Sequence, residues 1–223
     1  MKLDTLLILD TETTGLDPAE DRIVEVGAVL WSVQHACTLS SWSELVVGDD
    51  NPAESVNRIP GSALALGLEL PRVLGTLRAL AARADVVVAH NAPFDRAFVG
   101  EDLGRPWVCS MEDLAWPRPS GGRNLTAIAL AHDVGVLSAH RALADCLILA
   151  RLFERVVELG HDVGEMLRRG LRPKVAYQAM VSYADRDLAK AAGFSWDGDA
   201  KRWTRRLAAE DVKGLPFKVV PIR

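Results

Sequence analysis

The tightest constraint in this chain is the place where its first apolar run stops. Leu6-Leu7-Ile8-Leu9 gives way abruptly to Asp10-Thr11-Glu12 and then to a polar turn containing Gly15 and Pro18. A Leu/Ile run this short, bounded by turn residues, reads as a strand buried on both faces. Alternation along a strand puts Asp10 and Glu12 on one face, at the strand's carboxyl end. Two carboxylates there repel each other beside a low-dielectric core, so their charge has to be offset. A divalent metal is the usual answer. A helix N-cap or a turn aspartate is the plainer use of such residues, and the rest of the chain must decide between them.

A chain of 223 residues has room for one domain of about 150 residues and a small second one. No run approaches the 18 or so apolar residues of a membrane span, and Met1-Lys2-Leu3-Asp4 is too acidic to open a signal peptide. Cys37, Cys109 and Cys146 are odd in number and widely spaced, as expected for reduced thiols of a cytoplasmic protein. The net charge of −4 hides an asymmetry. Residues 1–160 carry 13 Lys/Arg against 22 Asp/Glu, and residues 161–223 carry 13 against 8. An acidic body suits a metal site and a basic tail suits a polyanion, although either is also an ordinary solvated surface.

Along the chain, Ile23–Val33 is rich in β-branched residues, and Glu25 within it suggests a half-exposed strand. The short link Val33-Gln34-His35-Ala36 predicts an antiparallel hairpin with a strand over 36–47. Residues 48–61 read as a loop, and Pro71–Ala84 as an amphipathic helix with Pro71 in its first turn. Asp85–His90 is a second buried strand, and it too ends in polar residues, His90-Asn91-Ala92-Pro93-Phe94-Asp95. A helix from Asp95 to Leu103, a strand at Trp107–Ser110 and helices over 124–132 and 142–159 follow. This order is α/β, with an antiparallel meander in front. In such sheets ligands gather at the strands' carboxyl ends, which places both polar strand ends on one rim.

The third polar cluster is His140-Arg141-Ala142-Leu143-Ala144-Asp145. Five residues are about 140° apart on a helix, so if both serve one site, Asp145 must point from the helix and His140 reach in from the loop before it. Each residue alone has an ordinary reading: Asp95 as a helix cap, His140 as a surface side chain, Asp145 as a first-turn charge. Taken together and in order, DTE, HNxxFD and HxAxxD resemble the three motifs of the DEDDh exonucleases. That family includes the epsilon-type proofreading subunit of bacterial DNA polymerase III. The resemblance spans about residues 4–158, and all five defining positions match.

It implies a ribonuclease H-like mixed sheet flanked by helices, and a 3′–5′ exonuclease releasing nucleoside monophosphates from DNA. It further implies two divalent ions, Mg²⁺ or Mn²⁺, held by Asp10, Glu12, Asp95 and Asp145, with His140 as general base. Thr13, Gly15, Leu16, Asn91 and Phe94 would seat the terminal nucleotide, although Leu16 and Phe94 also suit plain packing. An RNA-trimming enzyme of the same family and a non-catalytic polymerase-associated subunit are the competing readings. The resemblance also implies a polymerase or repair protein as partner.

The catalytic domain is expected over 1–160, a linker over 161–173 and a small α+β unit over 174–223. In that unit Tyr177–Tyr183 is strand-like, Asp185–Ala192 helix-like with Gly193 as its stop, and Asp197-Gly198 a hairpin turn. The stretch RDLAKAAGFSWDGDAKRW resembles small carboxy-terminal modules of exonuclease X-like proteins. Arg202, Thr204 and Arg206 share one face of the last strand, and Trp203, Arg205 and Leu207 the other. Trp196 and Trp203 beside these cations suit either a stacking surface for single-stranded nucleic acid or the core that so small a unit needs.

Overall fold

The computed structural model describes residues 2–100, 103–136 and 140–222. The chain divides into two compact units, 1–171 and 172–223. In the first, β1 (Thr5–Thr13), β2 (Ile23–Ser32) and β3 (Cys37–Leu45) form an antiparallel meander. A short helix α1 (Glu54–Asn57) and then α2 (Leu70–Ala81) lead into β4 (Val86–Ala89), α3 (Ala92–Val99) and β5 (Trp107–Cys109). Helices α4 (Leu125–Ala131), α5 (Ala142–Glu158) and α6 (Val163–Gly170) complete the unit. The sheet order is β3-β2-β1-β4-β5, with β4 parallel to β1 and to β5. This is the mixed α/β sheet flanked by helices that the sequence led us to expect.

The apolar run of β1 is buried on both faces, and the two faces serve different cores. Leu6 and Ile8 pack with Val86 and Val88 against Leu149, Leu152 and Phe153 of α5. Leu7 and Leu9 pack with Val87 against Val73, Leu77 and Ala81 of α2. Each such fully buried side chain contributes about 1.5–3 kcal/mol, so the strand carrying Asp10 and Glu12 is among the most firmly held in the unit. Gly27 lets α5 begin directly on β2, because a Cβ there would collide with the Ala142–Leu143 peptide.

Three expectations need correction. Glu25 does not mark a half-exposed strand: all ten residues of β2 are buried, and Glu25 is 2% exposed. The strand tolerates the charge because Arg141 pairs with it. Helix α3 begins at Ala92, three residues earlier than expected, so Asp95 lies in its first turn and is buried. Part of the expected helix end, residues 101–102, lies outside the described residues. The expected linker 161–173 instead holds α6, capped by the Asp162 side chain accepting from Glu165 N–H, with Val163 and Leu167 buried in the core. Its glycines do not mark a loop. Gly170 fits against Val108 and Leu114, where a larger residue would crowd them.

The second unit holds β6 (Val175–Ala179), α7 (Arg186–Ala191), β7 (Ser195–Asp197), β8 (Arg202–Leu207) and β9 (Val219–Pro221). Its sheet runs β7-β8-β6-β9, all antiparallel. Ala179, Ala189, Phe194 and Leu207 form its small core. Gly193, at φ +75°, ends α7 as expected of a glycine stop. Among the described residues, no helix is long and apolar enough to cross a membrane.

Candidate active site

The parallel pairing of β1 with β4 brings both polar strand ends to one rim of the sheet. Asp10, Glu12 and Asp145 are half-buried there, and each offers a carboxylate oxygen within 4.8 Å of the others. Asp145 comes from the first turn of α5, where the helix dipole favours a negative charge. Asp95 stands behind this trio at 2% exposure, and Thr11 Oγ donates to its Oδ1 at 2.9 Å.

The electrostatics are those of crowded carboxylates. Burial, then the charges of Asp95, Asp145 and Glu12, hold the Asp10 carboxyl well above its usual range. Burial and Asp145 push Glu12 up to about 8, against a smaller lowering by Arg141. Burial pushes Asp95 up to about 7 despite the Thr11 hydrogen bond. Asp145 is also raised by burial, partly offset by the His140 backbone N–H. Without a cation all four carboxyls are biased towards their protonated forms, and Glu12, at about 8, keeps its proton at neutral pH. An all-oxygen, anionic donor set of this kind fits a hard divalent ion such as Mg²⁺ or Mn²⁺.

His140 is exposed, with a left-handed backbone at φ +62°, and its N–H donates to Asp145 Oδ2 at 3.1 Å. A non-glycine residue in that region costs on the order of 1 kcal/mol, and the Asp145 bond helps to hold it. Residues 137–139, just before it, lie outside the described residues.

The nucleotide-seat candidates lie at the same strand ends. Thr13 is buried and donates to Gly15 O at 2.5 Å. A Cβ at Gly15 would displace the Asp21 carboxylate, which accepts from Thr14 Oγ and Asp17 N–H. Leu16, on the same turn, is 83% exposed, so packing is not its role. Asn91 is exposed and left-handed at φ +72°, directly before α3. Phe94 is half-buried, its ring 4.9 Å from that of Phe98, so its own helix accounts for part of its burial.

Four residues support the site in roles that the sequence reading did not assign to them. Thr11 carries no signal beyond its place between two acids. Glu25 does, since a carboxylate in a β-branched run needs a partner. Ser110 meets His90 Nδ1 at 2.9 Å, tying the ends of β4 and β5 together. Asn57, the last residue of α1, donates to Thr13 O at 3.4 Å; the segment 48–61, expected as a loop, thus holds a short helix that is tied to the end of β1.

A mixed sheet with acidic side chains gathered at the carboxyl ends of its parallel strands defines the ribonuclease H-like nuclease architecture. Residues 7–153 match the family described as Exonuclease, and residues 175–222 a domain of unknown function, DUF8626. The chain belongs to the exonuclease family. It is 29% identical over 184 residues to a PolC-type DNA polymerase III of Thermotoga petrophila, covering 72% of this chain and 12% of that one. It is also 29% identical over 164 residues to DNA polymerase III subunit epsilon of Treponema pallidum, covering 66% and 74%. The chain thus spans 12% of the length of the PolC relative. The structure of exonuclease X with 5′-overhanging duplex DNA is similar at a TM-score of 0.59 and 28% identity, covering 74% of this chain and 99% of that one. The nuclease domain of 3′hExo, a DEDDh family member bound to rAMP, shares the fold at 0.59 and 17% identity, covering 72% and 94%.

Proposed function

We propose that this chain is a metal-dependent 3′–5′ exonuclease that hydrolyses DNA from its 3′ end and releases nucleoside monophosphates. The convergence of Asp10, Glu12 and Asp145 at the strand ends carries this reading. Exonuclease X, at 28% identity and in complex with DNA, favours DNA over RNA as the substrate. The relative from Treponema pallidum is a subunit of DNA polymerase III, which supports a polymerase as partner.

Asp10, Glu12 and Asp145 would hold two divalent ions, with Asp95 completing the set from behind. Bound there, the ions would neutralise the phosphate, acidify the attacking water and stabilise the departing 3′-oxygen. His140 would accept the water's proton at an imidazole nitrogen. Its exposure leaves the ring open to solvent, and its N–H on Asp145 ties the base to the carboxylates. Glu25 and Arg141 fix where that segment leaves the sheet. Leu16 and the Thr13–Gly15 backbone would lie against the last base and sugar, with Asn91 and Phe94 on the other side.

The test is purified protein with labelled single- and double-stranded DNA and RNA, in Mg²⁺, Mn²⁺ or EDTA. Mononucleotide release from DNA 3′ ends, abolished by EDTA, is the expected result. Cleavage of RNA alone would overturn the substrate assignment, and no cleavage of either would overturn the activity.

A further inference from the structure

The second unit presents a row of aromatic rings and cations that its own packing does not require. On the β7–β8 hairpin Trp196 lies directly opposite Trp203, with ring centroids 5.5 Å apart. Trp203 packs on the small core, but Trp196 is 53% exposed. The row continues from Trp203 to Lys190, whose Nζ lies 5.9 Å from the ring centroid. Arg186 stands one turn earlier on α7, and its guanidinium covers the Tyr183 ring at 4.3 Å. Tyr183 is 83% exposed.

A unit of about 50 residues has little apolar area to spare, so leaving a tryptophan and a tyrosine in water opposes its stability. Residues 172–223 also hold 11 Lys/Arg against 6 Asp/Glu, a balance of +5. Asp187 pairs with Lys190 at 3.5 Å, an exposed contact that a phosphate can replace. Exposed rings interleaved with cations match single-stranded nucleic acid, whose bases stack on aromatics while its phosphates meet the charges.

We infer that Tyr183, Arg186, Lys190 and Trp196 form a binding surface for single-stranded DNA, separate from the carboxylate site. The choice of DNA rests on the function proposed above; the stacking and charge argument does not. A protein partner is the competing occupant, and the net positive charge and cation-covered rings weigh against it.

The full-length chain is titrated into a labelled oligo-dT of about 15 nucleotides in EDTA, and binding is read by anisotropy across a salt series. Chelation stops hydrolysis, so binding is read whether or not the chain proves to be an exonuclease. Trp196→Ala and Tyr183→Ala are each expected to weaken binding by about 5–100-fold. Replacing Arg186 and Lys190 together by alanine should flatten the slope of log Kd against log salt by about 1.4. Tyr183 has no place in the core, so its variant decides the matter if Trp196→Ala unfolds the unit. If Tyr183→Ala binds within about twofold of the parent, or the double variant keeps the parent's slope, the inference is overturned and the row is left to a protein partner.

Discussion

Glu25 and Arg141, 116 positions apart, close a two-pronged ion pair: Arg141 Nε donates to Oε2 at 3.0 Å and Nη2 to Oε1 at 2.8 Å. Glu25 also accepts from Ala142 N–H at 3.0 Å and Ser43 Oγ at 3.3 Å. It lies opposite Glu12 in the β1–β2 register. The sheet therefore fixes, through one carboxylate, the start of the helix bearing Asp145 and the segment bearing His140.

Arg141→Ala leaves that carboxylate buried with two of its four hydrogen bonds. Removing one partner of a buried pair costs about 3–5 kcal/mol, and the figure here is smaller, about 1–3 kcal/mol, because Arg141 is itself partly in solvent. Urea unfolding measures the loss. Turnover should fall as well, since the Asp145 helix loses its tether. A stable and fully active Arg141→Ala would show that α5 is positioned by packing alone.

The crowded carboxylates make apo stability depend on pH in a definite direction. The Glu12 carboxyl rises from its ordinary 4.5 to about 8 in the folded chain. Between those values the folded state binds more protons than the unfolded one, so stability from this group is complete below pH 4.5 and lost as pH rises towards 8. A cation relieves the same repulsion. Millimolar Mg²⁺ should therefore raise the melting temperature more at pH 8 than at pH 6. Equal shifts at both values would mean that protons and metal do not compete at Glu12.

Asp10→Asn tests the same balance by removing one charge in place. Burial and the neighbouring carboxylates Asp95, Asp145, Glu12 and Glu25 already oppose ionisation of Asp10. The variant should melt higher than the parent without metal at pH 8, lose most of its Mg²⁺-induced shift and lose hydrolysis. Appreciable activity in the purified variant would remove Asp10 from the metal set.

Which of these relationships a reader of the sequence could see follows from their range. The β1 strand and its acids are legible because pattern and break lie within a few residues. The contact between Thr11 and Asp95 spans 84 positions and leaves no local trace. Glu25 shows in sequence as a misplaced charge, but not its answer in Arg141. Helix α6, expected as a linker, is hidden because its Gly164 and Gly170 are there for close contact with neighbouring side chains, which no local pattern shows. Trp196 misleads in the other direction: a small unit's need for core argues for burying both tryptophans, and the fold buries chiefly Trp203.

His140→Ala separates the base from the metal set. The ring is exposed, and the contact to Asp145 runs through the backbone N–H, which alanine retains. Stability and the Mg²⁺-induced melting shift should stay near the parent's. The hydrolysis rate should drop by about 10²–10⁴, the range for losing a general base. The loss should shrink as pH rises, because hydroxide from solvent takes over the role. A variant that hydrolyses DNA at the parent's rate at pH 7 would remove His140 from the base role, while loss of the Mg²⁺ shift would make it part of the metal site.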